Sequence, residues 1–207
     1  YILKHKKLHG NRGMAFATPP VREIDTKEDF KQLEYEGDEL ESAEGSFELL
    51  VREVLQPDHF FFELQSMSLV SEKKDNKSTG CKVKMTIRAR DGLHDGIEEA
   101  AGPFDAMAGC LRKCLSQTYP QVADIHLKDY KVRVLEPNRG TAAKVRVLVE
   151  WGDHKTSWTT VGVSDDVLEA SWNALVDSIR LELLRLTIIM TYPISMPIVE
   201  APKCRIF

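Results

Sequence analysis

The chain has no long apolar run, few cysteines and no strong excess of one charge sign, and each absence removes a class of protein. Its four cysteines show no CxxC and no Cys/His ligand spacing, so neither a disulfide framework nor a structural zinc site is read. Cys110 and Cys114, four apart, share one face of a predicted helix, while Cys81 falls on a strand and Cys204 in the tail. The thiols therefore read as reduced and mostly buried, which fits a cytoplasmic location. The most apolar stretch, LTIIMTYPISMPIVEAP, is too short and too broken by proline to cross a bilayer, which takes about 20 residues. The opening YILKHKKLHGNRG is basic throughout and lacks the apolar core and cleavage site of a secretory signal. Tyr1 in place of methionine reads as the start of a piece cut from a longer polypeptide, and processing gives the same start. The formal net charge is -4 with acids and bases interleaved, so no phosphate-tracking stripe forms and nucleic acid is not an expected partner. There is no P-loop, no GxGxxG after a strand, no HExxH and no GxSxG.

What is present is a duplication. Lys82-Val83-Lys84-Met85-Thr86-Ile87-Arg88 precedes Lys144-Val145-Arg146-Val147-Leu148-Val149-Glu150 by 62 positions. In the helices that follow, the spacing is read as 63, with Phe104, Met107, Ala108, Leu111 and Leu115 answering Val167, Ala170, Ser171, Ala174 and Ile179 on an apolar face of helical period. Each copy reads as three strands closed by one helix. The first runs over 60–120, with strands Phe60 to Val70, Cys81 to Arg90 and Gly96 to Ala100, and a helix opened by Gly102-Pro103. The second runs over 125–186, with strands His126 to Leu135, Ala142 to Trp151 and Ser157 to Val163, and a helix capped by Ser164. The expected fold class is α+β: duplicated modules of antiparallel sheet with helices on one face, preceded by a helical joining segment. The divisions are an arm or linker at 1–22, an acidic joining segment at 23–57, the duplicated domain at 58–190 and a tail at 191–207. Within the joining segment an apolar helix runs from about Ser46 to Leu55, capped by Ser42 or Ser46. With hydrophobic content 43% and charged content 29%, the chain is of ordinary soluble composition.

Candidate chemistry is sparse. Arg90-Asp91-Gly92 with His94 has the outline of a metal or acid–base site, but Asp-Gly after a strand is first a hairpin signal. His5 and His9 lie among lysines, and Glu36, Asp38, Glu39, Glu41 and Glu44 are scattered over several turns without histidine, so a solvated face is the better reading. Trp151, Trp158 and Trp172 are not spaced as a stacking platform and belong in cores or interfaces. A binding site between the repeats remains. The helix start at Gly102 presents free backbone N–H groups suited to a carboxylate, and an apolar side chain would lie among Leu127, Tyr130, Val134 and Ala143, as an amino acid requires. Plain core packing explains the same residues.

The strings GPFDAMAGCLRKCL, DYKVRVLEPNRGTAAKVRVLVE and TTVGVSDDVLEASWNALVDSI resemble the C-terminal regulatory domain of the isopropylmalate and citramalate synthase family, over roughly residues 33–186. LEYEGDELESAEGSFELLVREVL resembles the segment joining that domain to the family's catalytic barrel, and the EASW and AEGSFELL versions look closer to the citramalate branch. The resemblance implies an acyltransferase that condenses acetyl-CoA with a 2-oxo acid at a divalent metal, both held in a barrel this chain lacks, so no catalytic or metal-binding residue is expected here. It also implies a homodimer that binds a branched-chain amino acid, isoleucine or leucine, as feedback inhibitor. The motif carries that site onto Leu127, Asp129-Tyr130, Val134 and about Ala143, with Gly102, Pro103 and Phe104 at the helix start, where relatives have GGP and a smaller aliphatic. Two other readings stay open: a free-standing interaction module without ligand, and a small enzyme using Asp91 and His94. No membrane partner is expected.

Overall fold

The computed structural model describes residues 40–55, 60–74, 77–135 and 143–191. The arm at 1–22, most of the acidic joining segment, the helix stop at Gln56-Pro57-Asp58, the turn at Pro137-Gly140 and the tail past Thr191 lie outside these residues.

Two antiparallel three-stranded sheets carry the fold. The first is ordered β1 (Phe62–Lys74), β2 (Lys77–Ala89), β3 (Gly92–Ala100), and the second β4 (His126–Val134), β5 (Val145–Gly152), β6 (Ser157–Ser164). Helix α1 (Glu44–Leu55) precedes the first sheet, α2 (Pro103–Leu115) packs on β2 and β3, and α3 (Val167–Thr191) packs on β5 and β6. Short 3-10 turns occupy Leu40–Ser42 and Pro120–Asp124.

The period-two pattern of the middle strands decides which face is buried. Cys81, Val83, Met85, Ile87 and Ala89 point to the helix side of β2, and Ala143, Val147, Val149 and Trp151 repeat that set 62 residues later. The last strands are 66 apart, because Met85 pairs with Gly96 and Val147 with Gly162. Arg90-Asp91 forms a two-residue turn between β2 and β3, while 153–156 joins β5 to β6. The helices are 64 apart, which corrects the expected 63. Buried Ala106, Met107, Ala108, Cys110, Leu111, Cys114 and Leu115 map onto buried Ala170, Ser171, Trp172, Ala174, Leu175, Ser178 and Ile179. Only the Leu115–Ile179 pairing was in register. A turn of unequal length in each copy shifted the count, and helical periodicity alone tolerates a slip of one.

Other boundaries move for local reasons. The hairpin arms reach Lys74 and Lys77, well into the stretch from Ser71 to Gly80 that separates the two expected strands, because cross-strand pairing continues as far as Lys74↔Lys77. β3 starts four residues before Gly96, since Gly92 takes a φ of 139° at the turn, where a side chain would be strained. The cap of α3 is Asp166 and not Ser164: the Asp166 Oδ1 accepts the Leu168 N–H at 2.7 Å, while Ser164 Oγ only accepts the Asp166 N–H. Ser46 lies inside α1, where its hydroxyl accepts the Val161 N–H of β6 at 2.9 Å.

The same glycine device seats both helices. A Cβ on Gly96 would lie 2.5 Å from Cys114 Sγ and 3.2 Å from Cys110 O, and one on Gly162 would lie 2.0 Å from Ala170 O. Each helix thus crosses its outer strand at a position where only glycine leaves room. Cys81, Cys110 and Cys114 are free and buried, and all three tryptophans are at most 1% exposed. Among the described residues, no helix is long and apolar enough to cross a membrane.

Candidate functional site

The two copies meet at Tyr130. Gly102 is the N-cap of α2 in an extended conformation without a side-chain cap, and Pro103 fills the first turn. That start directs Phe104, 8% exposed, onto the second sheet. Its ring centroid is 4.6 Å from that of Tyr130 and 6.3 Å from that of Trp151. Tyr130 Oη is hydrogen-bonded to Ser171 Oγ at 2.8 Å, and Ser171 donates to Val167 O at 2.5 Å, so the tyrosine is the donor. One phenol therefore touches the helix of the first copy with its ring and the helix of the second with its hydroxyl. The Trp151 indole N–H, like those of Trp158 and Trp172, is buried and has no acceptor among the described residues.

β4 is an edge strand whose helix-side face is largely uncovered. The register sets Leu127, Tyr130, Val132 and Val134 opposite Trp151, Val149, Val147 and Val145 on that face, with an irregularity between Leu127 and Asp129. Leu127, Val132 and Val134 are 40%, 46% and 48% exposed, because α3 lies over β5 and β6 instead.

Of the residues expected at the site, Phe104 and Tyr130 are in contact, and Leu127 and Val134 share their face of β4. Asp129 pairs with Glu150 on the opposite face. Its Oδ2 pairs with Lys131 Nζ at 2.5 Å and its Oδ1 accepts the Tyr130 N–H, and these hold the carboxyl below the usual range. Ala143 is buried just ahead of β5, and Gly102 and Pro103 stand at the rim. Sequence reasoning missed Ser171, Trp151 and Val132 as site residues. A serine on the apolar face of α3 was the available signal for Ser171.

The Asp91–His94 pair is a clasp on the β2–β3 turn. Asp91 Oδ1 takes Thr118 Oγ1 at 2.6 Å and His94 Nε2 at 2.8 Å. These bonds, Thr118 first, lower the Asp91 pKa. Thr118 Oγ1 also lies 3.3 Å from the same His94 Nε2, so one ring nitrogen faces both acid and hydroxyl, whereas a general base needs the two nitrogens on opposite partners. The cluster ties the hairpin to the turn that ends α2. No group of three or more His, Cys, Asp or Glu side chains converges as a metal site among the described residues.

The family profile of LeuA allosteric (dimerisation) domains matches residues 41–182. The chain is 41% identical over 163 residues to an (R)-citramalate synthase of Synechocystis sp., covering 76% of this chain and 29% of that protein. It is 35% identical over 161 residues to that of Geobacter sulfurreducens (77% and 30%), and 39% identical over 175 residues to that of Aquifex aeolicus (81% and 32%). It spans about a third of the length of these curated relatives.

Proposed function

Because the chain belongs to the family of LeuA allosteric (dimerisation) domains, we propose that it is the regulatory part of a citramalate synthase-type acyltransferase and senses a branched-chain amino acid for feedback inhibition. The catalytic barrel, with its divalent metal and acetyl-CoA, belongs on this reading to the remainder of a longer polypeptide. The observation that carries the proposal is the cluster of Phe104, Tyr130, Trp151 and Ser171 where the two copies meet. A buried indole N–H without an acceptor costs on the order of 1–3 kcal/mol, and a carboxylate-bearing ligand brings acceptors to that neighbourhood. The uncapped start of α2 adds amide donors and a favourable dipole for a negative group. The aliphatic part of the ligand suits the surface of Leu127, Tyr130 and Val134. Binding of this kind inhibits only if the two states of the protein differ in affinity for the ligand.

A second copy of the chain is the partner we assign to the open face of β4, so that ligand and partner share Leu127 and Val134. Leu127, Val132 and Val134 form a contiguous apolar strip in an edge strand, which a monomer would leave as a liability. The free-standing module without ligand shares this feature and differs only in the titration.

The test is calorimetric titration of the chain with isoleucine, leucine and valine, with its mass followed by light scattering. Saturable heat with isoleucine on a dimer supports the sensor, and a preference for leucine moves the effector assignment. A folded dimer giving no heat with any of them refutes effector binding. Val132→Asp is expected to halve the mass, and an unchanged mass would place the dimer contact elsewhere.

A further inference from the structure

The free edge of β6 is closed by α1. The Thr159 N–H donates to Glu44 Oε1 at 3.0 Å and the Val161 N–H to Ser46 Oγ at 2.9 Å. Thr159 O lies 2.7 Å from where a Cβ on Gly45 would stand, so the helix start rides directly on the strand. One turn later Glu48 is pinned to α3: its carboxylate receives Arg185 through Nε at 3.1 Å and through Nη2, and also receives Arg52 Nε at 2.6 Å. The Arg185 guanidinium lies over the Trp158 ring at 5.2 Å. α1 is thus held by buried Leu49 and Leu50, with Ala43 just ahead of it, by two side-chain acceptors on strand amides and by one half-buried ion pair.

The helix that holds Arg185 also holds Ser171. The two are about 21 Å apart along one continuous helix, at 1.5 Å per residue. From Ala170 to Ser178, a span that includes Ser171, α3 is pinned to β6. Thr160 Oγ1 donates to Ala174 O at 2.7 Å and is hydrogen-bonded to Ser178 Oγ at 2.5 Å, and Gly162 meets the helix backbone at Ala170 and Ala174. Ser171 lies within this pinned span, so a displacement there has to move α3 as one body and carries Arg185 with it.

We propose that α1 is a latch on the β6 edge whose seating is governed by the position of α3. Resting on the effector reading above, ligand at Tyr130 breaks the Tyr130–Ser171 bond, shifts α3 and withdraws Arg185 from Glu48. Arg185 is a positioning residue: it does not touch the ligand and acts through α1. Since α1 belongs to the segment that precedes both sheets, unseating it is the motion such a domain delivers to whatever the chain is joined to. Linkage requires the reverse effect as well, so loosening the latch must tighten ligand binding by the same factor.

The experiment uses the chain itself, with isoleucine, leucine and valine as probes. Amide exchange of Thr159 and Val161 is read by NMR with and without each amino acid, and dissociation constants are measured for the parent, Arg185→Gln and Glu48→Gln. Both substitutions remove the same ion pair from opposite sides, and unchanged exchange in β2 certifies that the fold is retained. We expect the bound amino acid to speed exchange at Thr159 and Val161 at least tenfold, and both variants to bind it several-fold more tightly. Binding with unchanged exchange and equal constants in all three proteins overturns the latch and leaves the effector reading standing. No binding in any of the three overturns both.

Discussion

Replacing Gly162 by alanine tests the architecture at its tightest point. The new Cβ would sit 2.0 Å from Ala170 O, 2.9 Å from Ala174 N and 3.0 Å from the Ala170 carbonyl carbon. An ordinary C···O contact is about 3.3–3.6 Å, so α3 must lift from β6 by more than about 1 Å. All the obstructing atoms are backbone, and no rotamer relieves them. A gap of 0.5–1 Å already forfeits roughly a quarter to a half of each contact's attraction, and the Thr160–Ala174 bond stretches with it. Overpacking costs about 1–3 kcal/mol in general, and this case belongs at or above the top. The equivalent Gly96→Ala meets Cys114 Sγ at 2.5 Å and Cys110 Sγ at 3.1 Å, which are the ends of side chains that can turn. Its cost is expected to be about 1–2 kcal/mol. In urea unfolding with unchanged m-values, Gly162→Ala should therefore lower stability by at least about 1 kcal/mol more than Gly96→Ala, or about 2–4 °C in Tm for a domain of this size. Cys114→Ala placed in the Gly96→Ala background should recover part of the loss, and no single side-chain truncation should rescue Gly162→Ala. Equal losses in the two variants, or a smaller loss for Gly162→Ala, would refute the claim that both helices are seated by glycine and that the second seat is set by backbone.

Three further outcomes follow from particular groups. Tyr130→Phe should cost about 0.5–1.5 kcal/mol in urea unfolding, since it deletes one neutral hydrogen bond while Ser171 keeps its bond to Val167 O; a loss above about 3 kcal/mol would show that the phenol does more than bridge the copies. Burial raises the Glu48 pKa, but Arg185 and Arg52 outweigh it and the carboxyl ends below its ordinary value. Its share of stability is therefore fully present above about pH 4.3 and is lost as pH falls through the lower, folded value; protection of Thr159 and Val161, taken relative to the slower intrinsic exchange in acid, that does not fall on acidification would contradict this. Glu182 is shifted the other way, raised chiefly by burial and further by Asp153 and Glu48, against Arg185. A carboxyl raised in the fold destabilises it increasingly as pH rises past the unfolded value and fully above the folded one, so Glu182→Gln should increase stability at pH 7 and leave it unchanged near pH 3, as thermal melts at the two values would show.

The sequence made the duplication legible because strands of period two and helices of period 3.6 leave separate imprints on apolar residues, and Val83, Met85 and Ile87 stand out beside Val145, Val147 and Val149. The helix register slipped by one because Phe104 and Val167 are both apolar, yet one is buried on Tyr130 and the other is 41% exposed. Ser164 preceded two aspartates that were equally good caps, and only backbone geometry selects Asp166. At the site, the matching motif brought out Tyr130 and Phe104. It placed Asp129 beside them without separating the two faces of β4, because the irregularity after Leu127 shifts the alternation and has no compositional signal. Ser171 was seen only as a helix-face residue, since its partner lies 41 positions away.

The three unequal offsets, 62 in the middle strands, 66 in the outer strands and 64 in the helices, record where the copies have been free to diverge. Between the matched core positions length has changed only in the connections, although α3 runs to 25 residues against 13 in α2, and at each helix–strand crossing a glycine has been kept in step in both halves. The molecule therefore distinguishes places that accept inserted residues from places that accept none. The turn at 153–156 is the natural point for grafting a tag or a reporter, whereas the same insertion next to Gly162 would unseat a helix.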